Sequence, residues 1–207
     1  MKKYSKIQTI FKRDMSNKGA LIAGSYSQPE FEYLYDNEWE YTEKIDGTNI
    51  RVMWDGANLK FGGRTDNAQI PVFLYDELNR MFSKEKFSEI FGSDPVTLYG
   101  EGYGKKIQKR GSSYISDGVS FVLFDVLIAD WWLKRDDVLD VGCKLSIGAV
   151  PVIGRGTLGA AVNLAEMGFD SVWGEFEAEG LVLRPTTELR TRAGHRIITK
   201  IKCSDFK

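Results

Sequence analysis

Apolar and polar positions divide the chain into short strand-like runs joined by glycine-marked turns, with helical periods in between. VSFVLFDVLI (119–128) is the clearest buried strand, interrupted only by Asp125. An aspartate in such a run must be paired or must bind something. YTEKI, NIRVMWD and NLKFG within 41–62 alternate like strands, with Asp46-Gly47 and Asp55-Gly56 between them. That pattern predicts a three-stranded meander in which Lys44 ends the first strand and GGR delivers Arg64 to the same edge. VTLYGEGY (96–103) predicts a short strand presenting Glu101 between two glycines, and EFEAEGLVLRP (175–185) sets Glu179 just before another. In RIITKIKC (196–203) the alternation puts Arg196, Ile198, Lys200 and Lys202 on one side.

Helical spacing appears in three places. Residues 71–91 carry apolar positions at 74, 78, 81 and 82, then at 87, 90 and 91, with Pro71 suited to a helix start. That is one long helix or two short ones. LKRDDVLDVGCKLSI is the second, and 157–168 the third, with Thr157 as cap and Gly168 as stop. Residues 1–40 have little period. They read as an N-terminal strand or loop around Ile7, Ile10 and Phe11, then a surface segment whose aromatics pack while their acidic neighbours stay exposed.

Composition changes this picture by exclusion. The 207 residues are 43% hydrophobic and 28% charged, as in a folded domain. No apolar run approaches the roughly 18 residues of a membrane span, so no membrane partner is expected. Two cysteines without ligand spacing suggest a reducing compartment, and the expected location is the cytoplasm, or the host cytoplasm if the protein is viral. One histidine argues against histidine-centred hydrolysis or zinc chemistry, leaving lysine, arginine and carboxylates. Net charge is only -1, but it is segregated. Residues 1–18 hold six Lys/Arg against one acid, KKIQKR (105–110) four against none, and 184–207 seven against two. A basic stripe for phosphates and three ordinary solvated faces are both compatible with that distribution.

Lys44, Arg64, Glu101, Asp125, Glu179, Lys200 and Lys202 all lie at or near strand ends or in a core strand. A nucleoside triphosphate with its metal ion calls for this mixture, cations for phosphate oxygens and carboxylates for Mg²⁺ or Mn²⁺. A lysine surrounded by cations can also act as an uncharged nucleophile near neutral pH. No GxxxxGK[ST] loop is present, so ATP would be handled by another route.

EKIDGTN (43–49) resembles the K-x-D-G nucleophile motif of the covalent lysyl-nucleotidyltransferases: ATP-dependent RNA and DNA ligases and capping enzymes. GR (63–64), YGEG (99–102), FVLFDVL (121–127), EGLVLRP (179–185) and KIK (200–202) are similar to that superfamily's later motifs, in order, across roughly 41–203. K-x-D-G-T-N after a glutamate looks closest to RNA ligases that seal nicks in duplex RNA. The resemblance implies an α+β, ATP-grasp-like nucleotidyltransferase (adenylation) domain, with two antiparallel sheets, flanking helices and a nucleotide pocket between them. It implies that Lys44 takes AMP from ATP, that Glu179 organises Mg²⁺ or Mn²⁺, and that Lys200 and Lys202 hold the α-phosphate. Glu43 and Ile45 would bracket the adenine, with Glu43 at the base edge. Asn49 and Arg64 would contact ribose, phosphates or the incoming end. Glu101 would bind the ribose, and Phe124 would stack on adenine, with Phe121 the second choice because the register is open. Asp46 and Asp125 read as structural. The implied partner is RNA with 5′-phosphate and 3′-hydroxyl ends, in a nicked duplex. The expected organisation is a single domain over 1–207 with no C-terminal OB-fold or helical accessory domain, and hence an accessory protein or domain for substrate grip. Alternatives are an ATP-dependent DNA nick ligase, a GTP-using capping-type enzyme, and a non-sealing nucleotide- or nucleic-acid-binding module of the same fold.

Overall fold

The computed structural model describes residues 2–207. Among the described residues, twelve strands and six α-helices follow one another. They begin with β1 (Gln8–Thr9), β2 (Phe11–Asp14), β3 (Ala20–Tyr26), α1 (Pro29–Tyr33), β4 (Trp39–Glu43), β5 (Thr48–Trp54) and β6 (Leu59–Gly63). Then come α2 (Val72–Met81), α3 (Lys84–Phe91), β7 (Val96–Gly104), α4 (Gly111–Tyr114), β8 (Val119–Ile128), β9 (Trp131–Trp132) and α5 (Arg135–Leu145). The last are β10 (Val152–Gly156), α6 (Leu158–Met167), β11 (Gly180–Pro185) and β12 (Thr199–Lys202). Two compact units result: a middle unit of Met1–Ser5 and Asp46–Val150, and a split unit of Lys6–Ile45 and Pro151–Lys207. Among the described residues no helix is long and apolar enough to cross a membrane.

The middle unit is built on an antiparallel sheet in the order β6-β5-β7-β8-β9. Its inward positions (Ile50, Val52, Leu98, Phe121, Leu123, Val126) form one core with Leu74 and Leu78 of α2, Phe87 and Phe91 of α3, and Val138, Val141 and Leu145 of α5. Each large side chain buried there contributes about 1.5–3 kcal/mol relative to exposure. Ser83 caps α3 by accepting from the Lys86 N–H, which is why 71–91 makes two helices rather than one. Strand β8 spans the predicted 119–128, with a bulge inside it. Tyr99 faces Asp125 while Gly100 faces Leu123, so Phe124 is an extra residue with no partner across the ladder. On the face away from the helices, Tyr4 makes an edge contact with Phe124 (ring centroids 5.1 Å apart) and donates its hydroxyl to the buried Asp125 carboxylate at 2.8 Å. That bond gives Asp125 the pairing its burial demands.

The split unit is built on the order β1-β12-β11-β4-β10, plus a β2–β3 ribbon. Its pairs are antiparallel except the two-residue β1–β12 contact, which is parallel. Tyr41, Leu181, Leu183 and Ile201 pack with Leu158, Ala161 and Ala165 of α6. Thr157 caps α6 as expected, accepting from the Ala160 N–H, and Gly168 ends it with φ 75°. The regular part of the last strand is shorter than its alternation suggested, 199–202 instead of 196–203.

The predicted meander is incorrect. β5 and β6 pair as a hairpin through Asp55-Gly56, but β4 pairs with β11 and β10, in the other unit's sheet. Asp46-Gly47 is therefore a crossover between sheets. Locally it carries the same residues as a hairpin turn, and only the distant partners β11 and β7 decide between the two.

Candidate active site

Lys44 follows the last residue of β4. Its N–H donates to the Gly180 carbonyl at 2.9 Å, extending the β4–β11 ladder by one step. The register pairs Thr42 with Val182, Val182 with Lys200, and Gly180 with Lys202. With a period of two, Lys44, Lys200 and Lys202 share one face of the sheet and Tyr41, Leu181 and Ile201 the other. The backbone at Gly180 is left-handed (φ 151°), and a Cβ there would lie 2.1 Å from the Ile201 carbonyl oxygen. Only glycine lets β11 start this close to β12, and the preceding Glu179 is thereby brought level with Lys202.

The Glu179 carboxylate links two lysines. Lys44 Nζ donates to Oε2 at 2.5 Å, and Lys202 Nζ lies 2.7 Å from Oε1. Side-chain exposures of 21% for Lys44, 11% for Glu179 and 38% for Lys202 leave the three only partly solvated. A half-desolvated carboxylate shared by two ammonium groups holds both in position, and leaves either one able to turn to an incoming anion. Two of the residues predicted with Lys44, Glu179 and Lys202, therefore touch it or its partner, and Lys200 stands one position back on the same face.

Glu43, expected at the base edge, is hydrogen-bonded within the split unit. It is 1% exposed, and its carboxylate accepts from the Ser171 hydroxyl at 2.6 Å and the Val172 N–H at 3.1 Å. Burial pushes this carboxyl above its ordinary value, with the two hydrogen bonds opposing. The side chain anchors the 171–172 loop. Ile45 is buried as well, at 4% exposure.

The remaining predicted residues belong to the middle unit. Asn49 pairs with Glu101, which pairs in turn with Val122, so Asn49 and Glu101 are cross-strand neighbours on the face away from the helices. β7 runs on to Gly104, so Glu101 lies within the strand and not at its end. Asn49 Oδ1 is buried with no hydrogen-bond partner among the described residues, an acceptor waiting for a donor. The bulge puts the two phenylalanines in different surroundings. Phe121 points into the core against Phe82, 5.4 Å between centroids, with its ring over Gly100. Phe124 is half-buried on the Glu101 side. Arg64 is exposed, and its loop is bracketed by Arg51, which donates through Nε to the Gly63 carbonyl at 2.8 Å and through Nη2 to Asp66 at 2.9 Å.

Residues following the nucleophile are held by a loop that sequence reasoning had not connected to them. The Asp46 N–H donates to the Tyr114 hydroxyl at 3.1 Å, and Gln108 Nε2 donates to the Gly47 carbonyl at 3.2 Å. A Cβ at Gly47 would meet the Gly102 carbonyl oxygen at 2.4 Å. Gly47 is thus required for close approach, not for a hairpin's left-handed turn. Arg51, Ser171, Gln108 and Tyr114 were missed. Only Arg51 left a sequence signal, a charge within an otherwise apolar strand.

Among the described residues no group of three His, Cys, Asp or Glu side chains could cage a metal. The carboxylate beside Lys44 is that of Glu179. That suits an ion arriving with substrate phosphates, in the way Mg²⁺ usually binds, through one or two carboxylates.

A sequence model of the RNA ligase family matches residues 37–202. The chain belongs to that family. No curated protein matches it in sequence. Among solved structures, an apo form of Naegleria gruberi RNA ligase superimposes with a TM-score of 0.68 at 18% identity, covering 99% of this chain and 58% of that one. The same protein with ATP and Mn gives 0.68 at 18%, covering 97% and 56%, and with PPi 0.67 at 19%, covering 97% and 57%. The likeness establishes the α+β nucleotidyltransferase fold of RNA ligases. This chain spans a little over half the length of the ligase chains it matches.

Proposed function

We propose that this RNA ligase family member is an ATP-dependent RNA ligase in which Lys44 becomes a lysyl-AMP. The carrying observation is the Lys44–Glu179–Lys202 chain of ion pairs at the end of the K-x-D-G strand. Lys44 Nζ attacks the α-phosphorus of ATP, forming an N–P bond while the bond to pyrophosphate breaks. Lys44 must first release a proton and its hold on Glu179, whose Oε2 is the acceptor in immediate reach. Lys202, with Lys200 behind it, stabilises negative charge on the α-phosphoryl oxygens. Next, an oxygen of an RNA 5′-phosphate attacks the same phosphorus, the N–P bond breaks, and Lys44 regains its proton. Finally a 3′-hydroxyl attacks the activated 5′-phosphate, closes the phosphodiester and expels AMP. A Mg²⁺ or Mn²⁺ ion entering with the nucleotide would be held by Glu179 and would neutralise phosphate charge. Naegleria gruberi RNA ligase has been solved with ATP and Mn, which supports this pairing by analogy.

Asn49 and Glu101 supply polar contacts to the ribose, Phe124 a stacking ring for the adenine, and Arg64 a cation for phosphates or the incoming end. The test is incubation with α-labelled ATP and Mg²⁺ or Mn²⁺, denaturation, and a search for label on the chain. Label from ATP that vanishes in Lys44→Ala is the expected result. Its absence under every metal and pH tried sinks the reading. Nicked duplexes with RNA or DNA on either side of the nick then establish the substrate.

A further inference from the structure

The KKIQKR run has no part in the chemistry above, yet the middle unit builds a cleft with it. The cleft encloses about 500 Å³ and is lined by Phe73, Glu77 and Arg80 of α2 and by Lys105, Lys106 and Asp117. Ile115 and Val119 complete an apolar floor with Phe73, which is 41% exposed. The loop is fixed while its charges are not buried. Ile107 is 4% exposed in the core, whereas Lys105, Lys106, Lys109 and Arg110 around it are all exposed. Lys106 is held in the left-handed region at φ 68°, a conformation unfavourable for a non-glycine residue. Two of the three lining cations are tied internally, Arg80 to Glu77 and Lys105 to Asp117 at 3.0 Å, while Lys106 makes no direct ion pair among the described residues and lies within electrostatic reach of Asp117.

We infer that this cleft docks the sugar-phosphate backbone of an RNA strand, with Lys106, Lys105 and Arg80 on phosphates and Phe73 against a base or ribose. The inference rests on the RNA-ligase reading and extends it to substrate grip. Three features favour a strand over a small anion. The cleft is open to solvent, so a polymer can cross it. Its cations are half-neutralised, which gives several weak, salt-sensitive contacts instead of one tight pocket. Its apolar floor beside cations matches the stacking-plus-phosphate pattern of single-strand recognition. The same loop carries Gln108, bonded to Gly47 three residues after Lys44, so the docked strand would be held by the segment that supports the nucleophile motif.

The experiment measures binding of a fluorescein-labelled, 5′-phosphorylated nicked RNA duplex to the whole chain between about 50 and 200 mM KCl. Lys106→Glu should raise Kd about tenfold, and Lys106→Gly, which removes the cation and relieves the left-handed backbone, should lower the salt slope by about 0.7–0.9. Phe73→Ala should weaken binding without changing that slope. Thermal melts of Lys106→Glu and Phe73→Ala should stay near the parent's and that of Lys106→Gly should not fall below it, since Lys106 is exposed and its side chain makes no hydrogen bond among the described residues. Unchanged Kd and slope in both Lys106 variants overturn the proposal, as does parent affinity for RNA too weak to measure. Displacement of the RNA by ATP alone marks a mononucleotide site and also overturns it. Lysyl-AMP formation in the parent tests the enzyme reading separately, because that step needs no RNA.

Discussion

Each unit presents a five-stranded sheet with one apolar and one polar face, and the polar faces are organised differently. In the split unit the face carries Lys44, Lys200 and Lys202 in adjacent strand positions, with Glu179 shared between the first and third. In the middle unit two ionic groups on the face away from the helices are committed inward. Arg51 is 1% exposed and bonded to Asp66 and Gly63, and Asp125 is 0% exposed and accepts from Tyr4. The same face also carries Asn49, Glu101 and the ring of Phe124. Partly solvated, shared charges can change partners during a reaction. Buried, bonded ones hold a shape. Under the proposed function, the contrast would give phosphoryl chemistry to one sheet and recognition to the other.

The contrast breaks most severely at Glu179. Glu179→Ala leaves two ammonium groups facing each other and should cut lysyl-AMP formation by at least about 100-fold, read as the rate of label transfer from ATP. Lys202→Ala should lower the same rate while leaving the thermal melt unchanged, because its side chain is 38% exposed and away from the core. Wholesale unfolding of that variant would contradict the assignment.

Stability and binding separate at the two phenylalanines. Phe121→Ala opens the middle-unit core and should cost about 3–5 kcal/mol in denaturant unfolding. Phe124→Ala should cost far less and instead raise the apparent KM for ATP, and the reverse ranking would exchange their roles. Gly47→Ala should be destabilising by about 1–3 kcal/mol and slow label transfer, since the new methyl meets the Gly102 carbonyl oxygen, which is backbone, as well as the Glu101 side chain.

Much of this was legible in the chain, and the failures share a cause. Lys44, Glu179 and Lys202 were readable because glycines and strict alternation mark where strands end and which way lysines point. Helix α6 was readable from Thr157 and Gly168 because caps are local chemistry. The anchoring contacts of Glu43 were not legible because its partners, Ser171 and Val172, lie 128 and 129 residues away and leave no trace nearby. The meander failed because Asp-Gly signals a change of direction without saying which sheet receives the next strand. The phenylalanine choice stayed open because a bulge shifts a strand's phase without altering its composition.

The smallest expected effect is the response to acid, where the units should move in opposite senses. Glu43 in the split unit is raised by burial above its ordinary 4.5, so the folded state keeps a proton there that the unfolded chain has lost. Its contribution to stability falls as pH rises from 4.5 through the raised value, and is recovered on acidification. Asp66 in the middle unit is held below its ordinary 3.8, first by the Arg51 hydrogen bond and then by Lys3. Its contribution is present above 3.8 and is lost as pH falls through the depressed value. Hydrogen exchange followed from neutral to acid pH should show the 39–43 strand gaining protection before the 63–66 loop loses it. Simultaneous loss in both would contradict the assignment.

The bulge in β8 also has a meaning for protein engineering. Leu123 and Val126 both face the helices, on either side of Phe124 and Asp125. Omitting Phe124 would leave Asp125 directly after Leu123, and the strand would return to uniform pleating with every other side chain on its present side. The ring expected to meet the adenine is thus a removable module, an addition to the sheet and not one of its structural members. A one-codon deletion at Phe124, more cleanly than any replacement, would yield a ligase scaffold with an intact core and a vacant base platform, open to stacking groups of other sizes.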